Sequence, residues 1–241
     1  MFMSIMYHHV CSDRCSNDIE IFEKHLEYIS KNFVTLFPGE KVVDNSLCLT
    51  FDDAYADFYL LIFPLLKKYN LKALLAVPSQ YILDDTNLDP KIRLGFEHND
   101  LFTNYDKATF CTKKELLEMI DSKLVVIGSH SHSHINLLES SVDVEFELSH
   151  SKKILEEMLG VNVDSFVFPF GKYNQSILDL TLQYYKYPFR IGNAIHKDFG
   201  GINGVIYRVK GDDLKTPNEI FTPLKIVQYR FKGFIKRVAR D

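Results

Sequence analysis

Two short stretches of the chain, more than seventy residues apart, carry side chains that could do hydrolytic chemistry together. The first is Leu49-Thr50-Phe51-Asp52-Asp53-Ala54-Tyr55, the second Ile127-Gly128-Ser129-His130-Ser131-His132-Ser133-His134. Each follows a short apolar run, which puts each at the C-terminal end of a β-strand. One carboxylate and two imidazoles make the three-ligand set of a hydrolytic metal centre with an open position for water. The second carboxylate is then free to act as a base. His130 and His134, four apart, come to one side of a tight loop or helical turn, and His132 should point elsewhere. A polar surface loop would also account for the histidines. An Asp N-cap would account for one carboxylate but not two. Adjacent residues leaving a strand point to opposite sides, so one can bind a metal while the other faces its water. Zinc is the first expectation for such ligands, and Mn, Fe, Co or Ni would also fit.

The elements that must position these residues alternate. Strand-like apolar runs occupy residues 3–7, 47–51, 73–77, 124–127 and 165–168, and helical patterns occupy 19–33, 55–69, 113–122, 142–159 and 175–184. Thr112 and Glu115 form a capping box, and Gly160 stops the long fourth helix. The β-α alternation predicts a parallel sheet or barrel. His8, Asp52, Asp53, His130, His134 and Phe170 all fall just after strands, on the face where barrel sites form. The long connection over residues 79–111 is expected to wall the substrate groove.

The chain has 241 residues, 46% hydrophobic and 25% charged, which suits one fairly large α/β domain or two small ones. Its net charge of -4 argues against a general nucleic-acid binder. The opening residues have no basic leader and no long apolar stretch, so the expectation is a cytoplasmic protein. Four Cys without framework spacing fit reduced thiols; a metal or disulfide role for Cys11 and Cys15 would need a second pair that the sequence lacks.

Thr50-Phe51-Asp52-Asp53 followed by His130-Ser131-x-x-His134 resembles the first two motifs of the polysaccharide deacetylase family, carbohydrate esterase family 4, with its NodB-homology domain. Phe168-Pro169-Phe170-Gly171 is similar to its third motif. Met6-Tyr7-His8-His9-Val10 resembles the Tyr-His-x-Val start of a subgroup acting on N-acetylhexosamine polymers. The resemblance implies a distorted, TIM-barrel-like (β/α) barrel of about seven parallel strands, and a metal-dependent N-deacetylase. It implies Asp52 as base, Asp53, His130 and His134 as ligands of a divalent metal, and the Phe170 N–H, within the Pro169-Phe170-Gly171 turn, as an oxyanion donor. That turn could also simply end a strand.

The chain departs from the family pattern in three places. Where most members have Arg two residues before the third-motif Pro, paired with the base, this chain has Val167. The fourth motif needs a Trp, which the chain lacks, and the fifth, which supplies the acid, is absent. In the subgroup with the Tyr-His-x-Val start the N-terminal His is similar in role to that acid, so the resemblance implies His8 as general acid, with His9 as its alternative; Arg208 or Arg190 is the expected replacement partner of Asp52. A non-catalytic sugar-binding relative, or a metal hydrolase of another linear amide or ester, stays open as an alternative.

Residues 221–241 hold six basic residues and one acid, +5, whereas residues 1–220 hold 22 basic and 31 acidic residues, -9. Val227, Phe231, Phe234, Ile235 and Val238 form an amphipathic stripe. The expectation is a barrel over 1–220 followed by a basic amphipathic helix over 221–241. That helix is either packed on the barrel or laid on the inner membrane face, where it would bring the protein to a lipid-linked sugar.

Overall fold

A computed structural model describes residues 1–238; the last three residues, which include Arg240 and Asp241 of the basic tail, lie outside the described part. Seven parallel strands close into a barrel: β1 (Phe2–Tyr7), β2 (Ser46–Phe51), β3 (Ala73–Val77), β4 (Val125–Ser129), β5 (Ser165–Val167), β6 (Tyr187–Ile191) and β7 (Ile206–Lys210). The ring shuts at β1, which pairs with β2 from Phe2↔Ser46 to Tyr7↔Phe51 and with β7 at Ile5↔Val209 and Met6↔Lys210. Helices α1 (Ile19–Asn32), α2 (Phe63–Tyr69), α3 (Lys113–Asp121), α4 (Val144–Leu159) and α5 (Gln175–Tyr184) follow strands around it, and α6 (Pro223–Val238) comes last. The expected distorted seven-stranded (β/α) barrel is present.

Both faces of the strands are covered, and the period of two sorts their residues into two cores. Met3, Ile5, Tyr7, Leu47, Leu49, Phe51, Ala73 and Leu75 pack outward among the helices. Phe2, Cys48, Leu74, Val167, Phe189 and Ile206 pack inward, with Phe199, as an apolar floor. Gly128 on β4 has no room for a side chain: a Cβ would lie 3.0 Å from Leu74 Cδ1 and 3.3 Å from Ser165 Cβ. Continuing the inward parity upward along each strand leads to His8, Asp52, His130 and Arg208, so the ladder that builds the floor also builds the site.

Local signals explain the helix ends. Thr112 and Glu115 complete their capping box, Asp143 caps α4, and Gly160 ends it at φ 67°. Two expectations need correction. The helix over 55–69 starts one residue later, at Ala56, and is not α-helical throughout: a π-helical stretch at Phe58–Ile62 separates Ala56 and Asp57 from α2, which has Pro64 in its first turn. The left-handed φ of Asp53 and Ala54, 68° and 55°, excludes helix there. Strands β6 and β7 were not anticipated, because Pro188, Arg190, Arg208 and Lys210 break their apolar runs.

Candidate active site

The strand ends bring the predicted residues together around a cavity of about 690 Å³, lined by His8, Asp52, Asp53, His130, His134 and Phe170. Tyr81, His98, Asn99 and Phe102, all from the 79–111 connection, form one wall as expected. Asp53, Ser131, His134 and Phe170 all have φ between 55° and 68°, so the site is held in backbone conformations that L-residues adopt at a cost.

Asp53 is buried, and its Oδ1 lies 3.3 Å from His130 Nε2 and 3.0 Å from His134 Nε2. His130 Nδ1 is 2.8 Å from the Val167 carbonyl. A carbonyl only accepts, so Nδ1 carries the proton and Nε2 turns a lone pair to Asp53. Asp53 Oδ1 has no hydrogen-bond partner there. An unpartnered buried carboxylate oxygen facing an imidazole lone pair is an environment that a cation completes. Among the described residues, Asp53, His130 and His134 are the group whose ligand atoms lie close enough, within 4.8 Å, to share one ion. Phe102 stacks on His134 with centroids 4.8 Å apart, and Phe170 lies 4.9 Å from the same ring.

The loop between the two histidines is tied down by a residue the sequence reading missed. Buried Glu147 of α4 accepts from His132 N at 2.8 Å, Ser133 N at 2.9 Å and Ser133 Oγ at 2.6 Å. His132 turns away, as predicted, with Nδ1 on Ser79 Oγ at 2.9 Å.

Asp52 takes no part in that cluster. Arg208, itself 1% exposed, makes two hydrogen bonds to its carboxylate, Nη2 reaching Oδ2 at 2.8 Å, and Nη1 also donates to Thr50 Oγ1 at 3.0 Å. Burial would raise the Asp52 carboxyl, but the guanidinium outweighs it and keeps the group below its ordinary value. Arg208, not Arg190, therefore fills the place left by Val167. Arg190 has the opposite parity and lies over the rings of Tyr173 and Tyr207.

His8 Nε2 sits 3.8 Å from Asp52 Oδ2. Its Nδ1 is 2.8 Å from Asp212 Oδ2, and its backbone N–H donates to Asp212 Oδ1 at 2.9 Å. Desolvation would lower this imidazole, but the Asp212 hydrogen bond and the charges of Asp212, Asp52 and Asp53 push it up to about 10. Asp212 follows β7, whose unrecognised strand hid it; the signal available was an Asp pair after Gly211. His9 is turned elsewhere: buried, with Nδ1 3.2 Å from Asp57, Nε2 3.2 Å from His98 and its ring stacked on Tyr55. Cys11 and Cys15 are free thiols.

The strand ends of this parallel barrel thus carry an Asp-His-His cluster that could hold one ion and, apart from it, an arginine-held aspartate. The chain belongs to the polysaccharide deacetylase family, whose model matches residues 39–187. It is 26% identical over 189 residues to YxkH of Bacillus subtilis, named for the same family, covering 72% of this chain and 58% of that protein. It is 26% identical over 164 residues to the poly-β-1,6-N-acetyl-D-glucosamine N-deacetylase of Escherichia coli K12, covering 56% of this chain and 23% of that one. The chain thus spans less than two thirds of these curated relatives. In fold it is similar to a polysaccharide deacetylase of Bacillus cereus (TM-score 0.74, 18% identity, 91% of this chain and 67% of that one). It is also similar to a Streptococcus pyogenes deacetylase solved with acetate (TM-score 0.69, 22% identity, 95% and 96%).

Proposed function

We propose that this chain is a metal-dependent N-deacetylase that hydrolyses the acetamide of an N-acetylated sugar in a glycan or glycan precursor, within surface polysaccharide biosynthesis. The observation that carries the reading is the separation of two buried aspartates: Asp53 sits among imidazoles, and Asp52 is held ionised by Arg208 while facing His8. Named relatives that deacetylate poly-N-acetylglucosamine support the sugar class.

In this reading Asp53, His130 and His134 hold one divalent ion, zinc first, with Mn, Fe, Co or Ni also suited to the donors. The bound ion supplies Lewis-acid polarisation of the acetamide carbonyl and of the attacking water. Asp52 accepts the proton of that water as its oxygen bonds to the carbonyl carbon. The Phe170 N–H, in the Pro169-Phe170-Gly171 turn, donates to the developing oxyanion. His8, charged and aimed by Asp212, gives its Nε2 proton to the nitrogen as the C–N bond breaks, leaving acetate and a free amine. Phe170, 62% exposed at the rim, offers a flat face to a sugar ring. The substrate we favour is a lipid-linked biosynthetic intermediate met in the cytoplasm at the inner membrane face.

Acetate release from a panel of N-acetylhexosamine oligomers tests the assignment. Asp52→Asn should keep one metal per chain by elemental analysis and lose about 10²- to 10⁴-fold in turnover. A variant that turned over like the wild type would overturn the role of Asp52.

A further inference from the structure

The apolar stripe of α6 faces away from the barrel. Leu224, Val227, Phe231, Phe234, Ile235 and Val238 are between 45 and 68% exposed. At about 100° per residue these six share an arc of roughly 100°. The opposite side docks: Tyr229 and Gly233 are buried, Ile226 packs on the core, and Asn203 Nδ2 donates to the Lys236 carbonyl at 3.2 Å. A Cβ at Gly233 would lie 3.3 Å from the Ile195 carbonyl, so the helix approaches closely on that side. Lys225 and Lys232 fall on one flank between these faces and Arg230 on the other; Lys236, whose Nζ lies 4.7 Å over the Tyr207 ring, and Arg237, which donates to the Ile195 carbonyl at 3.4 Å, sit beside them nearer the barrel, and the helix has no acidic residue.

We propose that α6 is a membrane-docking surface for an anionic bilayer, with its apolar stripe at the acyl boundary and its flanking cations at the lipid phosphates. Charge selects this occupant over a second copy, because pairing α6 with itself would bring five cations against five with no acid to relieve them. The geometry also matches a planar partner: cations on both flanks reach one surface while the stripe enters it. Among the described residues no helix is long and apolar enough to cross a membrane, so contact of this kind is peripheral. A Cβ at Gly192 would lie 3.2 Å from Lys236 Cε, which puts the end of α6 one residue along from pocket-lining Ile191. The inference rests on α6 alone and stands or falls separately from the deacetylase reading.

Flotation of the full chain with phosphatidylcholine vesicles, with and without phosphatidylglycerol, tests it. The wild type should float with the anionic vesicles and stay at the bottom with the neutral ones. Phe231→Ser/Phe234→Ser should cut flotation by about tenfold or more, since each Phe removes a large apolar area from the interface. Arg230→Gln/Lys232→Gln/Arg237→Gln should abolish the preference for anionic lipid. These side chains are exposed, so unchanged thermal unfolding is expected and verifies that the variants are folded. Wild type remaining at the bottom with anionic vesicles, or a serine variant floating like wild type, overturns the proposal. So does a wild-type dimer by light scattering that the serine variant dissolves, which would give the stripe to a second copy.

Discussion

Arg208 grips Asp52 across 156 residues of sequence, with two of its nitrogens on the two oxygens of one buried carboxylate. The pair is what separates the two adjacent aspartates chemically. Asp53 answers to imidazoles and Asp52 to a guanidinium, although both leave the same strand.

Removing that grip should cost both stability and rate. Arg208→Gln strands a buried carboxylate, and breaking a buried pair in this way destabilises by about 3–5 kcal/mol. Because the folded Asp52 carboxyl lies below its ordinary value, its contribution is complete above that value and is lost as pH falls through the depressed one. The variant should therefore show an acid limb of its pH–rate profile moved to higher pH. Arg208→Lys, which keeps the charge and loses the fork, should fall between wild type and Gln. An acid limb unmoved in both variants would show that Arg208 does not set the ionisation of Asp52.

Asp212 should govern the other limb. His8 is raised to about 10, so the charged imidazole favours the fold below its ordinary pKa near 6.5, and that contribution is lost as pH rises through about 10. In Asp212→Asn the imidazole loses its strongest partner. The alkaline limb of kcat/KM should move down toward 6.5, and a profile identical to wild type would rule out His8 as the acid.

Glu147 does not line the cavity, yet it fixes the loop that carries His134. Glu147→Gln removes the carboxylate charge that three donors share and leaves one acceptor oxygen: with that oxygen on the His132 and Ser133 N–H groups, the amide NH2 meets Ser133 Oγ, which must then turn to accept. Loss of a supporting residue behind metal ligands typically costs about 10- to 100-fold in affinity. Competition with a chromophoric chelator should read that loss, with His134→Ala lower still and Asp52→Asn unchanged.

The make-up of the candidate site was largely legible in the sequence, because the Asp pair and the His-x-x-x-His stretch each directly follow an apolar strand-like run. What could not be read were the residues whose role depends on strand parity. Arg190 and Arg208 looked interchangeable until β6 and β7 were visible. Phe189 and Ile206 then face in, which turns Arg190 out against two tyrosines and Arg208 in toward Asp52. Asp212 was hidden for the same reason: without β7, Gly211-Asp212-Asp213 reads as a turn. Glu147 looked like any acid in the first turn of a helix. His8 and His9, adjacent in sequence, leave β1 toward different neighbours, and only the placed loop containing His98 explains where His9 goes.

Val167 stands where the family pattern carries its arginine, and its side chain does no more than fill the floor, while its carbonyl fixes the His130 tautomer. Strand β5 is thus needed for its main chain and is free in its side chain. A closed ring of staves has no privileged member: a charge required at the centre can be delivered by any stave whose inward positions come within reach. A linear motif records which stave was used. It does not record the requirement itself, so members of this family that look incomplete along the sequence can be complete around the ring.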